Sequence, residues 1–210
     1  NVAKISVIGV GGGGCNMINH MIKEGSHKID LIAANTDLQV LHISKAPKKI
    51  QLGLKLTKGL GAGMKPEIGR DSAVESYEDI KNSLKGADIV FIAAGLGGGT
   101  GTGAAAIIAK AAKEIGALTV SVVTKPFTWE GKKRAGLANL GLEEIKKVSD
   151  SIIVVPNDRL LEIIDKNVGM KDAFKIIDNI LYQAVNGMTE VILTPGNSDI
   201  NTDFADVKTI

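Results

Sequence analysis

Apolar runs and amphipathic stretches alternate along the chain and predict its secondary structure. Six segments, most of them continuous apolar runs, are predicted as strands: 2–8, 29–34, 49–52, 88–93, 118–123 and 151–155. The stretches between them predict helices at 16–23, 38–43, 66–84, 104–115 and 132–147. Strands that alternate with helices predict an α/β fold, in which a doubly wound, mostly parallel sheet carries helices on both faces.

The pattern changes at Met170, where a wide apolar stripe begins and continues to about Leu193. Its width predicts one long helix that is largely buried. We therefore expect three parts: a domain at 1–169, a long connecting core helix at 170–193, and a segment at 194–210. The chain opens almost directly on a strand and stops without a turn or cap, so it is expected to be a piece of a longer protein.

The glycine-rich segment 95–103 lies between a predicted core strand and a predicted helix. Backbone N–H groups in such a loop can approach a phosphate closely, and the helix dipole favours negative charge there. Thr100 and Thr102 add hydroxyl groups. The segment is not a Walker A loop, because Gly-Lys-Ser/Thr occurs nowhere in the chain. A flexible linker is the alternative, but linkers are not bracketed by core elements.

A second glycine loop, 9–14, follows the first predicted strand. Gly9, Gly11 and Gly14 fit the dinucleotide pattern G-x-G-x-x-G, and Asp37 lies at a plausible distance for a ribose contact. A nicotinamide-dependent dehydrogenase is therefore an alternative function, although it leaves 95–103 unexplained. Ligands of doubly wound sheets bind at the carboxyl ends of the strands, so both loops should meet at one edge.

The amino-acid composition of the chain limits the kinds of partner that it is expected to bind. The net charge is +2, aromatic residues make up 3% of the chain, and no block of Lys and Arg stands out. Nucleic acid is therefore not expected as a partner, and neither is an acidic membrane surface. No apolar run approaches the roughly 18 residues of a membrane span, so direct membrane insertion is not expected.

The cysteine and the histidines are the candidates for reactive or metal-binding groups. Cys15 is the single cysteine, which precludes an internal disulfide and fits a reducing cytosol. A thiol at a helix N-terminus can be reactive, or it can be a small residue tolerated beside glycines. His20, His27 and His42 lack metal-ligand spacing, so no metal site is predicted from side chains.

Several motifs, in order along nearly the whole chain, carry a resemblance to a known family. GLGGGTGTG at 95–103 resembles the tubulin signature GGGTGTG. The other motifs are similar to those of the FtsZ family, the tubulin relatives of bacterial cell division: GVGGGG at 9–14 followed by Cys15-Asn16, NTD at 35–37, GLGAG at 59–63, TKPF at 124–127, EG at 130–131, PNDRLL at 156–161 and NTDFADVKTI at 201–210.

The resemblance implies a GTPase that binds GTP and GDP and polymerises head-to-tail, with Mg²⁺ held through the phosphates. Residues 1–169 would be the GTP-binding domain, and 194–210 a catalytic loop and the start of a second domain that lies outside this chain. It also implies a cytoplasmic location at mid-cell, and membrane anchors and regulators that bind a tail outside this chain. A polymer-forming protein that binds GTP without hydrolysing it is a further alternative.

The resemblance also assigns residues. Asn201, Asp203 and Asp206 would be catalytic. Asn16, Asn157 and Asp178 would bind the guanine edge, with Phe174 against its ring, and Glu130 and Arg134 would approach the ribose. The remaining nucleotide-binding assignments are Gly11, Gly12, Gly13, Gly14, Cys15, Asn35, Asp37, Gly63, Gly97, Gly98, Gly99, Thr100, Gly101 and Thr102.

Simple chemistry agrees with these roles. A carboxylate such as Asp178 can accept from both guanine N1–H and N2–H, and Phe174 lies one helical turn before it. A helix of about twenty residues would carry the chain about 30 Å from the pocket before Asp203 and Asp206. These two aspartates are therefore expected to serve a neighbouring subunit, and the isolated chain to hydrolyse GTP and polymerise poorly.

The chain departs from the family pattern in several places, and Cys15 occupies a position that is variable in the family. Trp129 stands where the family often has Phe, and it is interpreted either as a ligand contact or as an aromatic packed on its own turn. The segment 195–200 is about two residues longer than usual before the aspartate loop.

Overall fold

A computed structural model describes residues 3–26 and 28–193 of the chain. The strands are β1 (Ile5–Val10), β2 (Asp30–Asn35), β3 (Lys48–Gln51), β4 (Ile89–Gly95), β5 (Leu118–Lys125) and β6 (Ser151–Pro156). The helices are α1 (Gly11–Glu24), α2 (Leu38–Ile43), α3 (Leu54–Thr57), α4 (Pro66–Glu75), α5 (Tyr77–Leu84), α6 (Thr100–Glu114), α7 (Lys132–Val148), α8 (Asn157–Leu161) and α9 (Met170–Leu193). A 3₁₀ turn, Thr128–Glu130, precedes α7.

The six strands form one sheet in the order β3-β2-β1-β4-β5-β6, and every pair is parallel. The chain enters at the centre with β1, moves outward through β2 and β3, and returns to place β4 beside β1. The strand order therefore reverses between β1 and β4, which is where doubly wound sheets bind their ligands. The predicted fold class is confirmed.

Each face of the sheet is covered by its own apolar core. On one face, alternate residues such as Ile8 and Ile92 pack with α4, α5, α6 and α7. On the other face, Val7 and Phe91 pack with α1 and α9. Helix α1, which follows β1, and helix α6, which follows β4, thus lie on opposite faces, and their N-termini flank the reversal point.

Both glycine segments are more helical than the sequence pattern predicts. The first segment is not a loop, because β1 extends to Val10 and α1 begins at Gly11. Helix α6 begins at Thr100 rather than at residue 104. The backbone N–H groups in the first turn of a helix have no intrahelical acceptors. The low helix propensity of glycine therefore matters less there when those N–H groups have another hydrogen-bond partner.

Two further predictions need correction. The helix predicted over 66–84 is interrupted at Ser76 and forms α4 and α5. Helix α9 has the predicted bounds but is not largely buried in the described residues. It buries one row at a spacing of four, namely Ala173, Ile177, Leu181, Val185 and Thr189. Of the helices described, none combines the length and hydropathy that crossing a membrane requires.

Candidate functional site

A cavity of about 630 Å³ opens at the carboxyl edge of the sheet, at the reversal point between β1 and β4. Its lining comes from segments that are distant in sequence and meet at this edge. The lining residues are Gly12, Gly13, Asn16, Asn35, Thr36, Asp37, Val40, Leu60, Gly61, Ala62, Gly63, Gly95, Leu96, Gly98, Gly99, Thr100, Gly101, Thr124, Pro126, Glu130, Arg134, Asn157, Phe174, Ile177, Asp178 and Leu181.

The glycine end of the cavity is formed by backbone, from the first turns of α1 and α6 and the loop before α4. At Gly12, Gly63 and Gly98, an added Cβ would meet no atom of the described residues within 4 Å, apart from its chain neighbours and its own helix backbone. Neither packing nor a positive φ requires glycine at Gly12 or Gly98. Because both residues line the cavity, we infer that a side chain there would enter the space that a ligand would occupy. We therefore attribute these two glycines to the close approach of a ligand to the backbone.

Neighbouring glycines have a different explanation, since packing requires them. A Cβ at Gly101 would lie 2.7 Å from the carbonyl oxygen of Gly95, and one at Gly14 would lie 2.7 Å from the carbonyl carbon of Gly9. Gly97 has a φ of 114°, and its N–H donates to Thr102 Oγ1 at 2.9 Å. These residues hold the two helix N-termini against the sheet.

The end of β2 closes the glycine end of the cavity. Thr36 Oγ1 lies 2.6 Å from Thr100 Oγ1, which joins β2 to the first turn of α6. Asp37 Oδ1 accepts from the N–H groups of Gln39 and Val40, so this carboxylate caps α2 while it lines the cavity. Asn35 is buried, and its Oδ1 accepts from the Asp37 N–H at 3.2 Å.

The opposite end of the cavity is formed by side chains. Asn157, the first residue of α8, is 3% exposed, and its Oδ1 has no hydrogen-bond partner within residues 3–26 and 28–193. A buried acceptor of this kind costs free energy unless it is paired, so Asn157 is suited to a ligand that donates a hydrogen bond. Asp178 lies nearby on α9, and burial raises its pKa from 3.8 to about 6.

Charged side chains are sparse around the cavity. Glu130 Oε1 lies 3.9 Å from a guanidinium nitrogen of Arg134, and Glu130 Oε2 accepts from the Phe127 N–H at 2.7 Å. Among the described residues, Arg134 is the only cationic side chain in the lining, beside the carboxylates of Asp37, Glu130 and Asp178. An anion at the glycine end would therefore be held by backbone N–H groups and the two helix dipoles.

Most predicted site residues lie in the lining, but five do not: Gly11, Gly14, Cys15, Gly97 and Thr102. Cys15 is buried behind the turn, where burial raises the pKa of its thiol to about 11. A thiol in that state is unreactive near neutral pH. Asn201, Asp203 and Asp206 lie outside the described residues. The roles assigned to all these residues toward a nucleotide remain predictions.

Eleven lining residues were not assigned from the sequence. Thr36 lies inside the NTD motif, and Thr124 and Pro126 lie inside TKPF, so the motifs already contained a signal for them. The same holds for Leu60, Gly61 and Ala62, which lie inside GLGAG, and for Gly95 and Leu96, which lie inside GLGGGTGTG. The other three depend on how segments meet in the folded chain: Val40, Ile177 and Leu181.

A parallel doubly wound sheet, with two glycine-rich helix N-termini at the reversal point and a cavity between them, defines an α/β nucleotide-binding domain. The chain belongs to the Tubulin/FtsZ family, since residues 4–165 match the family's GTPase domain.

Solved structures agree with this assignment. An empty FtsZ dimer from M. jannaschii is 49% identical with a TM-score of 0.94, over 100% of this chain and 60% of that one. The W319Y mutant of FtsZ from M. jannaschii is 50% identical with a TM-score of 0.93, over 99% and 62%. A GTPγS-bound protofilament of CetZ2 from Haloferax volcanii is 22% identical with a TM-score of 0.81, over 93% and 60%, and shows similarity of fold alone. The chain thus spans about three fifths of each of these proteins.

Proposed function

We propose that this chain is the guanine-nucleotide-binding part of a filament-forming GTPase of the FtsZ type. The observation that carries the proposal is the pair of glycines, Gly12 and Gly98, which face the cavity from two helix N-termini with no conformational or packing need to be glycine. Their backbone would hold the phosphates. The alternative of a dehydrogenase explains only the first of the two helix N-termini.

The phosphates of GTP or GDP would lie between the first turns of α1 and α6, with the Thr100 hydroxyl within reach. Among residues 3–26 and 28–193, no group of three or more His, Cys, Asp or Glu is placed to hold a metal. We infer that Mg²⁺ is held through the phosphates, where it neutralises part of their charge. Arg134, at the edge of the cavity, would face the ribose and α-phosphate together with Glu130.

The base would occupy the opposite end of the cavity. There the ionised Asp178 carboxylate would accept from guanine N1–H and N2–H, and Asn157 Oδ1 would accept a further hydrogen bond. Adenine does not present that pair of donors. The site should therefore select guanine over adenine, because a base that leaves buried polar groups of the protein unpaired loses about 1–3 kcal/mol of binding free energy for each group.

Hydrolysis would be completed in trans. Helix α9 begins at the cavity and ends near Ile89 and Leu118, the first residues of β4 and β5, at the opposite edge of the sheet. Its 24 residues span about 36 Å at 1.5 Å per residue. The segment with Asn201, Asp203 and Asp206 follows that far end. In a head-to-tail filament it would serve the nucleotide of the next subunit, and this chain alone would hydrolyse GTP and polymerise poorly.

Self-association is supported by the description of the M. jannaschii relative as an FtsZ dimer. By the same similarity we propose that the whole protein assembles at the division site at mid-cell, in the cytoplasm. Membrane anchors and regulators would bind the part of the protein that follows this chain.

Calorimetric titration with GDP, ADP and NAD tests the binding proposal. GDP should bind at least tenfold more tightly than either competitor. Equal binding of ADP would remove the guanine assignment, and preferential binding of NAD would favour the dehydrogenase.

Phosphate release from GTP tests the proposal of hydrolysis in trans. The chain alone should hydrolyse GTP slowly, and addition of the full-length protein should raise the rate of GTP turnover. Asp206→Ala in the full-length partner should abolish that gain. Rapid turnover by the isolated chain, independent of its concentration, would contradict the shared site.

A further inference from the structure

We propose that Trp129 is a positioning residue that holds the Phe174 ring at the base end of the cavity. The inference rests on the proposed function, because it concerns how a base is gripped there. Trp129 is 46% exposed and is not part of the cavity lining. It is therefore neither a core residue nor a direct wall of the site, and its position needs another explanation.

Phe174 is the side chain that needs support. Among the described residues it is the only aromatic group in the lining, and it lies in the first two turns of α9 with 38% of its surface exposed. A phenyl ring makes no conventional hydrogen bonds, so packing selects among the rotamers that the helix backbone allows. A ring that moved among rotamers would lose conformational entropy each time a base stacked on it.

Two aromatic neighbours supply that packing. Phe174 meets Phe127 at a centroid distance of 5.7 Å and 76°, and meets Trp129 at 5.7 Å and 75°. Both are edge-to-face contacts, which aromatic rings favour. Trp129 in turn stacks on Phe127 at 4.9 Å and 16°. The three rings form a cluster, called here the aromatic triad, of which only Phe174 reaches the cavity.

The Phe127 ring of the triad and the turn that carries Trp129 are both held in place. Phe127 is fully buried, and its N–H donates to Glu130 Oε2 at 2.7 Å across the 3₁₀ turn. The Thr128 N–H donates to Asp158 Oδ1 at 2.9 Å, and the Thr128 hydroxyl donates to the other oxygen of that carboxylate. The turn that carries Trp129 is therefore tied to α8, and Trp129 is held in contact with Phe174.

A double-mutant cycle with GDP tests whether Trp129 acts through Phe174. Trp129→Ala should weaken GDP binding about 3- to 10-fold, the range expected for one aromatic pair. Trp129→Phe should retain affinity within about twofold. In a Phe174→Ala background, Trp129→Ala should have almost no further effect. Leu140→Ala, which removes an exposed apolar side chain on α7, is the matched control and should change nothing.

Fluorescence gives a second readout that a purely structural role would not change, since Trp129 is the only tryptophan in the chain. GDP should alter its emission in the wild type, and Phe174→Ala at saturating GDP should remove most of that change. The proposal would be overturned if Trp129→Ala caused the same loss of GDP affinity in the wild type and in Phe174→Ala. It would also be overturned if GDP changed the Trp129 emission as much in Phe174→Ala as in the wild type. If the wild-type chain fails to bind GDP, the proposed function itself has failed, and the first titration shows this separately.

Discussion

The two ends of the cavity are built from different material. The glycine end consists mainly of backbone, from two motifs that each follow a central strand directly and from the loop before α4. The base end consists of side chains from α8, α9 and the 3₁₀ turn, which are separated along the chain and meet only after folding. The glycine end therefore depends on residues that have no side chain, whereas the base end depends on side chains that the fold brings together. The two ends should therefore respond differently to substitution and to pH.

The largest effect is expected at Gly12. A Gly12→Val substitution places a branched side chain where no other described element lies within 4 Å, on the cavity wall that is proposed to bind a phosphate. GDP affinity should fall on the order of 100-fold or more, which corresponds to about 2.7 kcal/mol, with little change in Tm. Titration calorimetry and thermal melting measure the two quantities.

The matched control for this change is Gly136→Val. Gly136 is also a helical glycine with no atom within 4 Å of an added Cβ, but it lies on the exposed surface of α7 outside the cavity. It should leave GDP binding unchanged. Undiminished GDP binding by the Gly12 variant would show that the phosphates do not lie at this turn.

The base end should show its effect through Asp178. Asp178→Asn replaces an acceptor that can take two hydrogen bonds with an amide that has a single acceptor oxygen. Hydrogen bonds to charged groups contribute about 1.5–3 kcal/mol. GDP affinity should therefore fall by about 10- to 100-fold, while the smaller loss of ADP binding distinguishes a base contact from general damage to the site.

The same carboxyl group predicts a dependence on pH. Burial raises its pKa to about 6 in the free protein, and guanine N–H donors favour the ionised form. GDP affinity should therefore level off above pH 6 and fall by up to tenfold per unit below it. Asp178→Asn should flatten that part of the profile. A wild-type profile that is already flat between pH 5 and 7 would contradict the contact.

Stability should change with pH in the opposite direction. Because the folded pKa is raised from 3.8 to about 6, the stability contributed by the protonated Asp178 is complete below about pH 3.8 and is lost as pH rises to about 6. The difference in Tm between wild type and Asp178→Asn, measured without nucleotide across this window, isolates the contribution of this carboxyl group from that of the other acids.

Gly14→Ala sharpens the contrast within one helical turn. Unlike Gly12, Gly14 does not line the cavity, and an added Cβ would lie 2.7 Å from the carbonyl carbon of Gly9. Overpacking of this kind costs about 1–3 kcal/mol. The variant should therefore lose stability in urea denaturation. When folded and saturated, it should bind GDP far better than the Gly12 variant does. Equal behaviour of the two variants would remove the distinction between ligand-facing and packing glycines.

The sequence anticipates much of the fold because most strands are short apolar runs and each crossover contains a helix. The bounds of α2 and α9 agree with prediction. The short helices α3 and α8 and the break at Ser76 were missed, since turns of four or five residues leave little periodicity. In the site, glycines such as Gly12 and Gly98 were found because the motifs contain them. Val40 and Leu181 were not, since only tertiary folding brings them to the cavity.

The smallest effect is expected at Cys15, which the sequence assigned to the site and the structure places behind it. Its Sγ lies 3.8 Å from the carbonyl oxygen of Ala34 and 3.9 Å from that of Gly9, and Asn35 Nδ2 donates to it at 3.9 Å. Burial raises the pKa of the thiol to about 11, so very little thiolate is present at pH 8. Native protein should therefore react with a thiol reagent at pH 8 far more slowly than urea-unfolded protein.

Cys15→Ala should change GDP affinity less than about twofold, within roughly 0.4 kcal/mol, because no side chain at this position reaches the ligand. Rapid native labelling that GDP blocks would place the thiol in the site and show that a side chain contributes to the glycine end after all.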